Sequence, residues 1–150
     1  MPYTSTYVDQ GKGVHKVASG IVTGLELFTS SLREPLIESR ARQLRYGLID
    51  YSDTTEMRVT PDDIRRIVEL DRKTAELTPG GLVAIIAPSP LPYALARLWH
   101  TLADDLPWKS NVFHNRADAL AWLRLELLAQ NNTDSLEDYP SLLVEEPVHA

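Results

Sequence analysis

The stretch Leu82-Val-Ala-Ile-Ile-Ala87 decides the fold. Six apolar residues follow one another with no polar alternation, the pattern of a strand covered on both faces. Such a strand needs a neighbour on each side and helices above and below it. Thr78-Pro-Gly-Gly81 turns the chain into it. Pro88-Ser-Pro-Leu-Pro92 leads out into a helix whose Leu91, Ala94, Leu95, Leu98, Trp99 and Leu102 recur at helical spacing. Working outward, the same cadence appears before and after. Tyr46-Gly-Leu-Ile-Asp50 reads as an inner strand, followed by a polar stretch, Tyr51 to Arg58, that reads as a surface loop. Thr60-Pro-Asp-Asp63 then combines a hydroxyl N-cap, proline at the first helical position and two carboxylates at the positive end of the helix dipole. Ile64, Ile67, Val68 and Ala75 form that helix's stripe, interrupted by Asp71. Asn111-Val-Phe-His114 is the last strand, Asn115 with Asp118 opens the closing helix, and Leu120, Ala121, Leu123, Leu127 and Leu128 carry it.

Ahead of this core, Tyr3 to Tyr7 and Gly13 to Ser19 read as two short strands. Asp9-Gln-Gly-Lys-Gly13 joins them, and its two glycines predict a hairpin with positive φ in the turn. Thr23-Gly-Leu-Glu26 has capping-box spacing, so a helix starts there with Leu25, Leu27, Phe28 and Leu32 on its apolar face and ends near Pro35. The pattern stops at Asn131. Residues 131–150 carry five acidic and no basic side chains with two prolines, which predicts a loosely packed acidic tail behind a single α/β domain of residues 1–130.

Composition narrows the function classes. At 43% hydrophobic and 24% charged residues the chain has an ordinary globular make-up. The absence of cysteine excludes disulfides, thiol catalysis and thiolate metal sites. A net charge of −6 argues against nucleic acid as a partner. No apolar stretch is long enough for a membrane span, and Met1 to Tyr7 lacks the features of a signal peptide, so the expected location is cytoplasmic. No P-loop, dinucleotide fingerprint, His-Glu-x-x-His or Gly-x-Ser-x-Gly occurs. No cofactor, metal or catalytic residue is therefore expected.

One polar stripe stands out. Tyr93, Arg97 and His100, spaced +4 and +3, share a side of the helix that follows the central strand, and Ser89 sits at that strand's exit. Open α/β sheets bind ligands at the carboxyl ends of their strands. These four are the candidate ligand- or partner-binding residues. The same spacing also fits a bland arrangement in which Arg97 pairs with a carboxylate and Tyr93 and His100 border the core. Trp99, Trp108 and Trp122 read as core or core edge.

The segments Ala18-Ser-Gly20 with Thr23, Gly47-Leu-Ile-Asp50, Val83-Ala-Ile-Ile-Ala-Pro88, Tyr93-Ala-Leu-Ala-Arg-Leu98 and Val112 to Leu123 occur in an order and spacing that resembles the bacterial STAS-like proteins, also called SpoIIAA-like or STAS/SEC14-like. The resemblance implies a layered α/β fold with an N-terminal β-hairpin, a helix and three β-α units (ββαβαβαβα), its mixed sheet covered by helices. It implies a non-catalytic regulatory or protein-interaction module with an unnamed protein partner or a homodimer. The SEC14-like kinship implies an alternative, a carrier of a small apolar ligand or lipid. Phosphorylated members of the family bear a serine switch where a helix opens. The matching stretch here, Val59-Thr-Pro-Asp-Asp-Ile64, lacks that Asp-Ser-Ser-Gly pattern and offers Thr60 and Asp62 at the switch position.

Overall fold

The computed structural model describes residues 3–33, 43–130 and 135–144. A five-stranded sheet runs in chain order: β1 (Tyr3–Val8), β2 (Gly13–Thr23), β3 (Tyr46–Arg58), β4 (Leu82–Ile86) and β5 (Lys109–Phe113). β1 and β2 pair antiparallel, and every later neighbour is parallel, so the sheet is mixed. Between strands lie α1 (Gly24–Arg33), α2 (Pro61–Leu77) and α3 (Pro90–Leu102), and α4 (Arg116–Gln130) follows β5. The expected ββαβαβαβα order is present among the described residues.

Side-chain alternation splits the core in two. Val83 and Ile85 of β4 face Leu27 of α1, Ile64 and Ile67 of α2, and Leu95 and Trp99 of α3. Leu82, Ala84 and Ile86 face Leu120, Leu123 and Leu127 of α4. β4 is therefore buried along its whole length, as its uninterrupted apolar run predicts.

Caps follow the sequence closely. Thr60 Oγ1 accepts from Asp63 N at 3.1 Å, and Asp63 Oδ2 accepts from Thr60 N at 2.9 Å. Asn115 Oδ1 accepts from Asp118 N at 2.9 Å. Thr23 Oγ1 accepts from Glu26 N at 3.3 Å, but the Glu26 carboxylate takes the Thr23 hydroxyl proton at 3.0 Å.

Four expectations are corrected. The polar stretch Tyr51 to Arg58 is strand, because β3 continues along β2 with register shifts after Val17 and Gly20. These irregularities, together with exposure of most of its side chains, erase the two-residue alternation. The buried side of α3 is carried by Pro92, Leu95, Ala96 and Trp99, whereas Leu91 and Ala94 are exposed. In α4, Leu128 is exposed and Ala119 is buried in its place. The tail is not loose throughout: residues 135–144 form two short 3₁₀ turns that bury Tyr139 and Leu142, and Arg124 Nη1 donates to Leu142 O at 2.7 Å. The helix end expected at Pro35 lies outside the described residues.

The turn after β1 has three consecutive left-handed residues, Asp9 (φ 55°), Gln10 (φ 60°) and Gly11 (φ 84°). Gly13 serves space instead of φ, since a Cβ there would lie 2.3 Å from Tyr46 Cζ.

Candidate functional site

A cavity of about 160 Å³ lies between the sheet and the layer of α1, α2 and α3. Ile49 and Val83 form part of its floor; Leu27, Ile67, Leu95 and Trp99 line it from the helices. The space is partly open to the surface, and concave sites of this kind, mostly apolar with a few polar groups, are where small molecules bind. Gly47 adds a second sign. It lies within β3, on the cavity side, and a Cβ built there would meet only Val14 Cγ1 within 4 Å, at 3.6 Å. Glycine inside a strand often marks a close approach to the backbone by a ligand or another chain.

Polar groups are few and mostly paired. Tyr3 and Tyr51 share a hydrogen bond of 2.9 Å with their rings edge to face. Burial pushes the Tyr51 hydroxyl up to about 12 and the Tyr3 hydroxyl higher still, so both stay neutral at physiological pH. Trp99 Nε1 donates to Asp71 Oδ2 at 2.9 Å, which explains the acidic interruption in the α2 stripe. Trp108 Nε1 donates to Thr78 Oγ1 at 2.8 Å, and Lys16 Nζ donates to the carbonyl and hydroxyl of Ser30, each at 3.3 Å. Thr74 Oγ1 is buried without a partner.

The residues singled out from sequence stand elsewhere. None of Ser89, Tyr93, Arg97 and His100 lines the cavity. Tyr93 stacks on His114 just past β5, with ring centroids 4.0 Å apart and planes 14° apart. His100 Nδ1 lies 2.7 Å from Ser110 Oγ at the start of β5. Arg97 is exposed, and its carbonyl accepts from Thr101 Oγ1. Ser89 is exposed at the N-cap of α3 with no side-chain capping bond. Two ends of the stripe thus hold β5, and the four residues do not converge on one point. Thr60 is the cap described above, and the exposed Asp62 pairs with Arg65 at 2.5 Å. Among the described residues, no three His, Asp or Glu side chains are grouped to hold a metal ion.

A second buried polar group, on the opposite sheet face, went unread in the sequence. Tyr46 OH donates to Asp9 Oδ2 at 2.7 Å. Its single proton is thereby used, so the His15 Nε2 contact at 3.0 Å places the imidazole proton on Nε2. Ser141 reaches in from the C-terminal segment, donating its amide to Asp9 Oδ1 at 3.0 Å and its hydroxyl to Asp9 Oδ2 at 2.6 Å. His15 Nδ1 is left bare and buried. Burial, and then the positive charge of Arg116, hold the imidazole down to about 4, against a smaller opposing pull from Asp9. Arg116 itself pairs with the buried Asp50 at 3.3 Å. No local motif announces this cluster, because 132 residues separate Asp9 from Ser141. It clamps the C-terminal segment to the first turn and reads as structural.

No family model and no curated protein matches the chain. Among solved structures, it is similar to an uncharacterized DUF3478-family protein with a SpoIIAA-like fold from Shewanella loihica, with 20% identity, a TM-score of 0.50, and coverage of 81% of this chain and 91% of that one. That likeness, together with the mixed five-stranded sheet covered by helices, establishes a SpoIIAA-like fold.

Proposed function

We propose that the protein is a non-catalytic binding module that holds a small apolar molecule between its sheet and α1–α3. The cavity carries this reading: it is about 160 Å³, its walls are mostly apolar with Lys16, Arg45 and Asp71 among the lining residues, and it is floored by the strand glycine Gly47. An engineered cavity of roughly 150 Å³ with aliphatic and aromatic walls takes up benzene. The occupant is therefore of that order, a single ring or a short branched chain. Of the two functions suggested by the STAS/SEC14 resemblance, the carrier gains the more direct support.

Thermal unfolding with benzene or toluene tests it. A ligand at about ten times its Kd stabilises by ~1.4 kcal/mol, which raises Tm by roughly 3–6 °C in a domain of this length. Absence of any rise up to the solubility of these ligands removes the proposal. A protein partner or a second copy of the chain is the other reading, favoured by Leu125 and Leu128, exposed one turn apart on α4. Sedimentation over a wide concentration range decides whether the chain self-associates.

A further inference from the structure

Lys16 and Arg45 bring two cations to the cavity from its sheet side. They stand on adjacent parallel strands, where Val14 of β2 pairs with Gly47 of β3 and Lys16 with Ile49. Side chains alternate along a strand, so Arg45, Gly47 and Ile49 share one face of β3, and Lys16 shares the matching face of β2. Arg45 thus precedes the glycine by two residues, and Lys16 lies two residues beyond it on the neighbouring strand. The missing side chain of Gly47 opens the floor between them. Arg45 is exposed and Lys16 half-buried; the Lys16 ammonium donates to the carbonyl and hydroxyl of Ser30 at 3.3 Å each, long for such bonds. Asp71 of α2 is the one carboxylate among the described lining residues, and its Oδ2 accepts from Trp99 Nε1. Two cations against one anion line a cavity in a chain whose net charge is −6, the opposite balance.

We infer that the occupant is an apolar molecule carrying one carboxylate, which lies over Gly47 between Arg45 and Lys16 while its apolar body points toward Ile67, Leu95 and Trp99. This rests on the ligand-binding reading above and adds the chemical class. An acid group among mostly apolar walls needs cationic donors, and hydrogen bonds from a guanidinium or ammonium to a carboxylate are the strong kind. Asp71 stands on the helix side, and its charge turns the acid group toward the sheet. With room for a single ring or a short branched chain, the class is a small aromatic or branched-chain carboxylic acid.

Titration calorimetry with benzoate, its uncharged isostere benzamide, and toluene tests this on the full chain and on its Arg45→Gln and Lys16→Met variants. Arg45 is exposed, so Arg45→Gln leaves the fold intact. Wild type should bind benzoate more tightly than benzamide. That preference should fall about five- to tenfold in each variant, the range for loss of one charge-assisted hydrogen bond near solvent. Arg72→Gln, which alters the net charge equally at the exposed pair with Asp105, should keep the wild-type ratio. If toluene binds and wild type does not prefer benzoate to benzamide, the acid class falls while the ligand reading stands. A ratio unchanged in both cavity variants, or lowered as far in Arg72→Gln, overturns it in the same way. If no probe binds, both the acid class and the ligand reading are overturned.

Discussion

Replacing Gly47 by valine should make the protein more stable and less able to bind. The backbone there is ordinary strand, paired on both sides with Val14 and Val83, so a β-branched residue suits it. The first added carbon finds only Val14 Cγ1, at an unstrained 3.6 Å. Relieving glycine's unfolded-state entropy is worth ~0.5–1 kcal/mol. Two further methyl groups entering existing empty space add about 0.8 kcal/mol each. A total near 2 kcal/mol corresponds to a rise in Tm of roughly 4–8 °C for this chain length. The same methyls occupy the space proposed for the ligand, so the thermal response to benzene or toluene should disappear. Circular-dichroism melts of wild type, Gly47→Ala and Gly47→Val, each with and without ligand, supply the comparison. A loss of about 1–3 kcal/mol in Gly47→Val would refute the reasoning, since that is the signature of overpacking a core already full.

Other consequences follow from the opposite sheet face. Gly13→Ala pushes a Cβ against the Tyr46 ring and dislodges its bonds to Asp9, His15 and Ser141; urea unfolding should show a loss of about 3 kcal/mol or more. His15 has a folded-state pKa of about 4, below its unfolded value of roughly 6.5, so the unfolded chain binds the proton first. The stability it protects is complete above about pH 6.5, declines as pH falls toward 4 by at most ~3 kcal/mol, and levels off below. A His15→Gln variant should lack that component of a stability–pH curve, and an unchanged curve would place the acid sensitivity elsewhere. Leu142→Ala removes a fully buried anchor of the C-terminal segment and should cost ~2–5 kcal/mol by urea unfolding, whereas a loose segment would lose almost nothing.

Much of the fold was legible because its signals are local. Leu82 to Ala87 announced the central strand, and the Thr60 and Asn115 caps fixed two helix starts to the residue. Failures occurred where tertiary partners decide. Tyr51 to Arg58 looks like loop because its pairing with β2 is interrupted by register shifts and leaves most side chains in water. Tyr139 and Leu142 sit in an acidic tail, and nothing near them tells that α4 and Asp9 receive that segment. The site was less legible than the fold. A polar stripe on α3 drew attention because titratable residues at helical spacing are conspicuous, yet Tyr93 and His100 spend their contacts on His114 and Ser110. A cavity is space bounded by residues that each look like ordinary core. Gly47 within an apolar strand and Asp71 within an apolar stripe were its only visible traces, and neither discloses a void without the packing around it.

Crystals pressurised with xenon test the central claim most directly. The account predicts ordered xenon between β3, β4 and the helices α1–α3, in contact with Gly47, Ile67 and Trp99, with the walls unmoved. A xenon-free interior, with Met57, Trp99 or their neighbours closed over the space beside Gly47, would contradict it.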